Sequence, residues 1–101
     1  MKARLTAAAL ALAALPCFAQ TAPDALQVRS MAASCSNCHG TNGQAQEGMH
    51  RLAGMPAAEM VRKLSDFKNG RVPATVMHQL AKGYSDEQIA AIAAWFAAQK
   101  P

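Results

Sequence analysis

The chain has 101 residues, with ten Lys or Arg against six Asp or Glu, a formal net charge of +4 and three cysteines. That length gives room for one domain. Two of the ten basic residues, Lys2 and Arg4, sit in a leader-like segment; the eight left stand against six acidic ones, net +2 with no basic run, a balance that argues against a nucleic-acid partner.

Taken in chain order, Lys2 and Arg4 form a basic n-region ahead of an apolar run from Leu5 to Leu15. Pro16 breaks that run, and Cys17-Phe18-Ala19 offers small residues on either side of the phenylalanine, at the positions a signal peptidase reads. The run is shorter than the roughly 20 residues needed to span a bilayer core. Pro16 directly before Cys17 is a poor fit to lipoprotein processing, which wants a small residue there. The expected division is a cleaved signal peptide over 1–19 and one domain over 20–101, exported to the periplasm with no stable membrane span afterwards. A domain of that size buries a modest share of its surface and leans on a covalent or metal staple.

From Ala25 onward the periodicity is helical and no segment shows strand alternation. Asp24, after Pro23, is placed to cap a first helix running toward the cysteines through Leu26, Val28, Met31 and Ala32. Gly40 to Gly54 is rich in Gly, Gln and Asn and reads as a loop. Pro56 suits the first position of a second helix, whose apolar stripe is Met60, Val61, Leu64 and Phe67, and Asn69-Gly70 ends it. Arg71 to Val76 is expected to be irregular, since Pro73 lacks an amide donor and biases Val72 away from helix. A last helix opens at Ser85 with Gln88 three residues on for a capping box, acidic Asp86 and Glu87 in its first turn, and Ile89, Ile92, Ala93 and Phe96 on its buried face beside Trp95. The prediction is all-α, with helices too short and alanine-rich to close a core on their own.

Cys35-Ser36-Asn37-Cys38-His39 is a C-x-x-C-H sequence, the signature of covalent haem attachment. Two thiols separated by two residues near a helix end reach the two vinyl groups on one porphyrin edge, and the adjacent imidazole of His39 lies under the iron as proximal ligand. Other uses of the pair fit less well. A structural zinc site needs four ligands, and His50 and His78 do not complete a zinc pattern with one cysteine pair. A thioredoxin-like pair expects a βαβ setting, and a plain disulfide leaves His39 without a purpose. For the sixth ligand, Met31 and Met60 fall on packing stripes, while Met49 and His50 lie in the loop just after His39. Met77 follows the irregular segment with enough chain to wrap a porphyrin, and a thioether there gives the His/Met ligation that raises potentials; His78 beside it is the rival, and His/His ligation lowers them. With both axial positions filled, the iron offers no site to a substrate, which points to electron transfer and away from catalysis.

At these residues the sequence resembles a known family. Cys35 to Gly43 (CSNCHGTNG) with Leu52-Ala53-Gly54 is similar to small class I cytochromes c. Phe67-Lys68-Asn69-Gly70, Ala74-Thr75-Val76-Met77 and the run from Ala81 to Ile89 (AKGYSDEQI) resemble more specifically the haem subunit of flavocytochrome c sulfide dehydrogenase. The resemblance implies a class I cytochrome c fold, three to four helices wrapped round one covalently bound haem c. It implies thioethers from Cys35 and Cys38, His39 as proximal and Met77 as distal axial ligand. The partner it implies is a periplasmic FAD-containing sulfide dehydrogenase subunit, or another redox protein, feeding single electrons to this chain. One departure stands out: relatives place a proline where His50 stands, its carbonyl holding the proximal imidazole, and any residue's carbonyl can serve there. Lys63, Lys68, Arg71 and Lys82 are candidates for steering a partner. The alternatives are a free-standing soluble cytochrome c, and a haem enzyme or gas sensor with an open sixth site.

Overall fold

A computed structural model describes residues 21–101; the segment read as a signal peptide, 1–19, lies outside the described residues. Four α-helices follow one another, α1 (Ala25–His39), α2 (Ala57–Lys68), α3 (Met77–Lys82) and α4 (Asp86–Ala97), with a 3₁₀ turn at Thr41–Gly43. Among the described residues there is no strand, and the all-α expectation holds.

The two long-range organisers are capped as their sequences dictate. The Asp24 carboxylate accepts from the Gln27 amide at 2.8 Å while the Gln27 side chain accepts from the Asp24 amide at 3.1 Å, closing both ends of a capping box on α1. Ser85 and Gln88 make the same reciprocal pair at the start of α4, at 3.1 and 2.9 Å. For α2, the expectation that Pro56 occupies the first helical position is off by one residue: its ψ of 132° is extended, so it stands at the N-cap and its carbonyl accepts the first helical bond, from Met60 at 3.1 Å. Asn69 ends α2 and Gly70 turns away in the left-handed region at φ 71°.

The core forms where α1, α2 and α4 meet. Ala32 from α1, Met60 from α2, and Ile92, Ala93 and Phe96 from α4 make one buried cluster, lined by Met31, Cys35, Leu52, Val61, Leu64, Tyr84 and Trp95. Trp95 and Phe96 stack edge to face, 4.9 Å between centroids at 89°. The loop from Gly40 to Gly54 is tied to this core at Gly43, which is buried at φ 79°. Its carbonyl accepts from Leu52 (2.9 Å) and Ala53 (3.1 Å), and a methyl group there would lie 2.8 Å from Phe96 Cδ1 and 2.7 Å from the Ala53 nitrogen. Only glycine meets both the dihedral and the space. The element that periodicity misses is α3, six residues with no side-chain cap at Val76.

Candidate haem site

Cys35 and Cys38 lie on the last turns of α1, three residues apart and so on one face. Both are free thiols, Cys35 half-buried and Cys38 exposed. Burial pushes the Cys35 thiol up, opposed by hydrogen bonding from Ser34 and from its own backbone. While that proton is present, the folded chain favours the neutral thiol, so this contribution is full at pH below the ordinary thiol range and lost as pH rises through the raised value. A thioether carries no such proton and removes the dependence.

His39 closes α1, and Gly40 releases the chain at φ 81°. The loop then returns so that His39 Nδ1 is 2.7 Å from the backbone carbonyl of His50. A carbonyl only accepts, so Nδ1 carries the hydrogen and Nε2 keeps its lone pair for a metal. The position where relatives were expected to place proline thus supplies the same acceptor from its backbone. The side chains of His50 and Met49 are exposed.

Met77 is the first residue of α3 and is half-buried. On a helix it shares its face with buried Ala81, four residues on, whereas His78 shares its face with Lys82. His78 lines a cavity of about 240 Å³ with Phe67, Gly70, Val72, Pro73, Ala74 and Lys82, and its Nδ1 is buried without a hydrogen-bond partner. Met77 and His78 therefore serve different surfaces of α3. Val72, Val76 and Leu80, on or beside the segment carrying Met77, are 40%, 54% and 53% exposed. Apolar side chains exposed together are the kind of surface a macrocycle covers.

The donor set fits haem: two unpaired thiols on one helical face, an imidazole fixed in the metal-binding tautomer and a thioether on a separate segment. It does not fit a His/Cys/carboxylate ion site, since among the described residues no three such side chains come together. Among those residues, too, no helix is long and apolar enough to cross a membrane. The profile of the family described as "Cytochrome c" matches residues 28–100, from the first turn of α1 past the end of α4.

The chain belongs to the cytochrome c family. Its cofactor is covalently bound haem c, and the chemistry of this cytochrome is electron transfer rather than catalysis. It is 37% identical to the cytochrome subunit of sulfide dehydrogenase from Chlorobaculum tepidum, over 91% of this chain and 92% of that protein. It is 34% identical to cytochrome c4 of Pseudomonas aeruginosa over 82% of this chain, which spans 42% of that longer protein. It is 32% identical to cytochrome c-554(548) of Halomonas halodenitrificans, over 78% of this chain and 100% of that one.

The basic residues read as steering charges divide in the structure. Lys63 pairs with Glu59 at 3.1 Å, Arg71 with Asp66 at 2.8 Å and Lys68 with Asp86 at 3.0 Å, while Lys82 makes no ion pair among the described residues. Lys68 also donates to the Tyr84 carbonyl at 2.7 Å, and the Tyr84 hydroxyl lies 2.8 Å from Ser34 Oγ. Sequence reasoning passes over these contacts because they join residues 16 and 50 positions apart through no recognisable spacing.

Proposed function

We propose that this cytochrome is a periplasmic mono-haem subunit that takes single electrons from an FAD-containing, sulfide-oxidising flavoprotein. The observation that carries the reading is the end-to-end similarity to the C. tepidum cytochrome subunit of sulfide dehydrogenase, without a large unmatched segment on either side. Export follows from the basic, apolar and small-residue order of residues 1–19, with cleavage after Ala19.

In this reading Cys35 and Cys38 would hold the porphyrin through thioethers, and His39, through Nε2, and Met77 would be the protein's ligands to its iron. The bound haem supplies a reversible one-electron couple. The chain's own work would be to keep the same ligands, in the same orientation, in both oxidation states. The His50 carbonyl orients the imidazole and raises its basicity, and the Met77 thioether favours a raised potential. With both His39 and Met77 as ligands, the iron would offer no open position to substrate or gas.

The test is direct. Expressed with haem-attachment machinery, the periplasmic protein should begin at Gln20, show a c-type pyridine haemochrome, and copurify with a flavoprotein whose sulfide-dependent reduction reaches the haem. Met77→Ala should abolish the methionine–iron charge-transfer band and open the ferrous protein to carbon monoxide. Removal of the sixth ligand by His78→Ala instead, with Met77→Ala leaving it in place, would overturn the ligand assignment.

A second reading, a free-standing electron shuttle, is favoured by the match to cytochrome c-554(548) along that protein's whole length. A stable monomer that exchanges electrons with several partners and is not reduced by a sulfide-treated flavoprotein would select it.

A further inference from the structure

The segment carrying Met77 has little to hold it locally. A six-residue helix is not stable by itself, and α3 lacks a side-chain cap at its N-terminal end, where Met77 sits. Its C-terminal end is different. Only Gly83 and Tyr84 separate α3 from the Ser85 cap of α4, and Tyr84 is grasped twice. Its hydroxyl meets Ser34 Oγ at 2.8 Å, and its carbonyl accepts from Lys68 Nζ at 2.7 Å.

The direction of the first bond can be assigned. Ser34 Oγ lies 2.6 Å from the Met31 carbonyl, which takes the serine's only proton, so Tyr84 donates to Ser34. Ser34 stands next to Cys35 on α1, and Lys68 is the last residue of α2. The same ammonium reaches Asp86 in the first turn of α4 at 3.0 Å. Lys68 keeps a quarter of its side-chain surface, while Tyr84 packs against the core cluster. One residue thus ties the end of α3 to α1, α2 and α4, and its hydroxyl bond joins the helix bearing Cys35, Cys38 and His39 to the element bearing Met77.

We propose that Tyr84, gripped by Ser34 and Lys68, is the positioning residue for the distal ligand: it fixes α3 against α1 and so opposes displacement of Met77 from the iron. This rests on the assignment of Met77 as that ligand. Tyr84 touches no reacting atom, and its role is in how firmly the sixth ligand is kept.

The experiment titrates the ferric holoprotein with imidazole, following loss of the methionine–iron charge-transfer band. A hydrogen bond of ordinary net worth corresponds to a roughly three- to tenfold change in such an equilibrium. Tyr84→Phe, which keeps the ring, is expected to bind imidazole about three- to tenfold more tightly than the parent. Lys68→Met should move in the same direction. Ser34→Ala should match Tyr84→Phe, Ser34→Thr should behave as the parent, and Ser34→Ala with Tyr84→Phe should be no worse than either alone, because one bond is removed in all three. Arg62→Gln, which removes a surface pair outside this cluster, should leave the affinity unchanged. Unchanged imidazole affinity in Tyr84→Phe and Lys68→Met, whatever happens to their melting temperatures, overturns the proposal, as does an equal gain in Arg62→Gln. A band that survives Met77→Ala overturns the ligand assignment instead, so the two failures are told apart.

Discussion

The imidazole of His39 is oriented by a backbone atom of a residue whose side chain points to solvent. The identity of residue 50 should therefore matter little: His50→Ala is expected to change stability by less than about 0.5 kcal/mol. It should also leave the haem absorption spectrum unchanged, because the contact to His39 is made by the backbone of residue 50 and not by its side chain. Phe96 is the opposite case, 0% exposed at the centre of the core and against Gly43. Phe96→Ala should cost about 3–5 kcal/mol in denaturant unfolding, a large part of a small domain's total stability. The buried face of α4 was legible in the sequence because four apolar residues recur at helical spacing. The direction of His39 was legible only as a chemical requirement, since a carbonyl acceptor leaves no trace in residue type.

At the scale of elements, ends announced by side chains were found where the sequence placed them. Ser85 with Gln88 forms the reciprocal box that its spacing implies, and Asp24 caps α1 as expected, with Gln27 completing a box that the sequence reading does not name. Removing one should show: Ser85→Ala is expected to cost about 0.5–2 kcal/mol, and each kcal/mol lowers Tm by roughly 4–8 °C in a domain of this size. The register of α2 was off by one because proline is compatible with both the cap and the first helical position, and the extended ψ of 132° at Pro56 decides between them. The short α3 was not legible at all. Met77 to Lys82 is too brief to display a period, it lacks a capping residue, and what holds it is its packing against α2, with buried Ala81 and the hydrogen bonds of Tyr84 just beyond its end.

Across the molecule, three of the four basic residues read from the sequence as steering charges are already paired. Lys63, Lys68 and Arg71 already face carboxylates, so Lys82, next to the exposed Val76 and Leu80 segment, is the strongest candidate for attracting an acidic partner surface. Lys82→Gln is expected to lower the second-order rate of electron exchange at low ionic strength, with the difference closing as salt rises; stopped-flow at two ionic strengths reads it. Lys63→Gln should change that rate less, because its neighbour Glu59 cancels much of its field at a distance. The sequence showed which residues are basic, but not which are already neutralised, since Lys68 meets Asp86 across a separation of 18 residues.

The Gly43 anchor also decides which part of the surface is free to vary. Because its carbonyl gathers Leu52 and Ala53, the intervening excursion is closed at its base, and Gln46, Glu47 and Gly48 stand in open solvent with nothing near the position a Gly48 Cβ would take. A few residues inserted between Gln46 and Gly48 would lengthen only the rim of that excursion. It is the natural place to graft a tether for wiring this carrier to an electrode, with the reporter leaving from the loop that follows His39 and the segment around Met77 left bare.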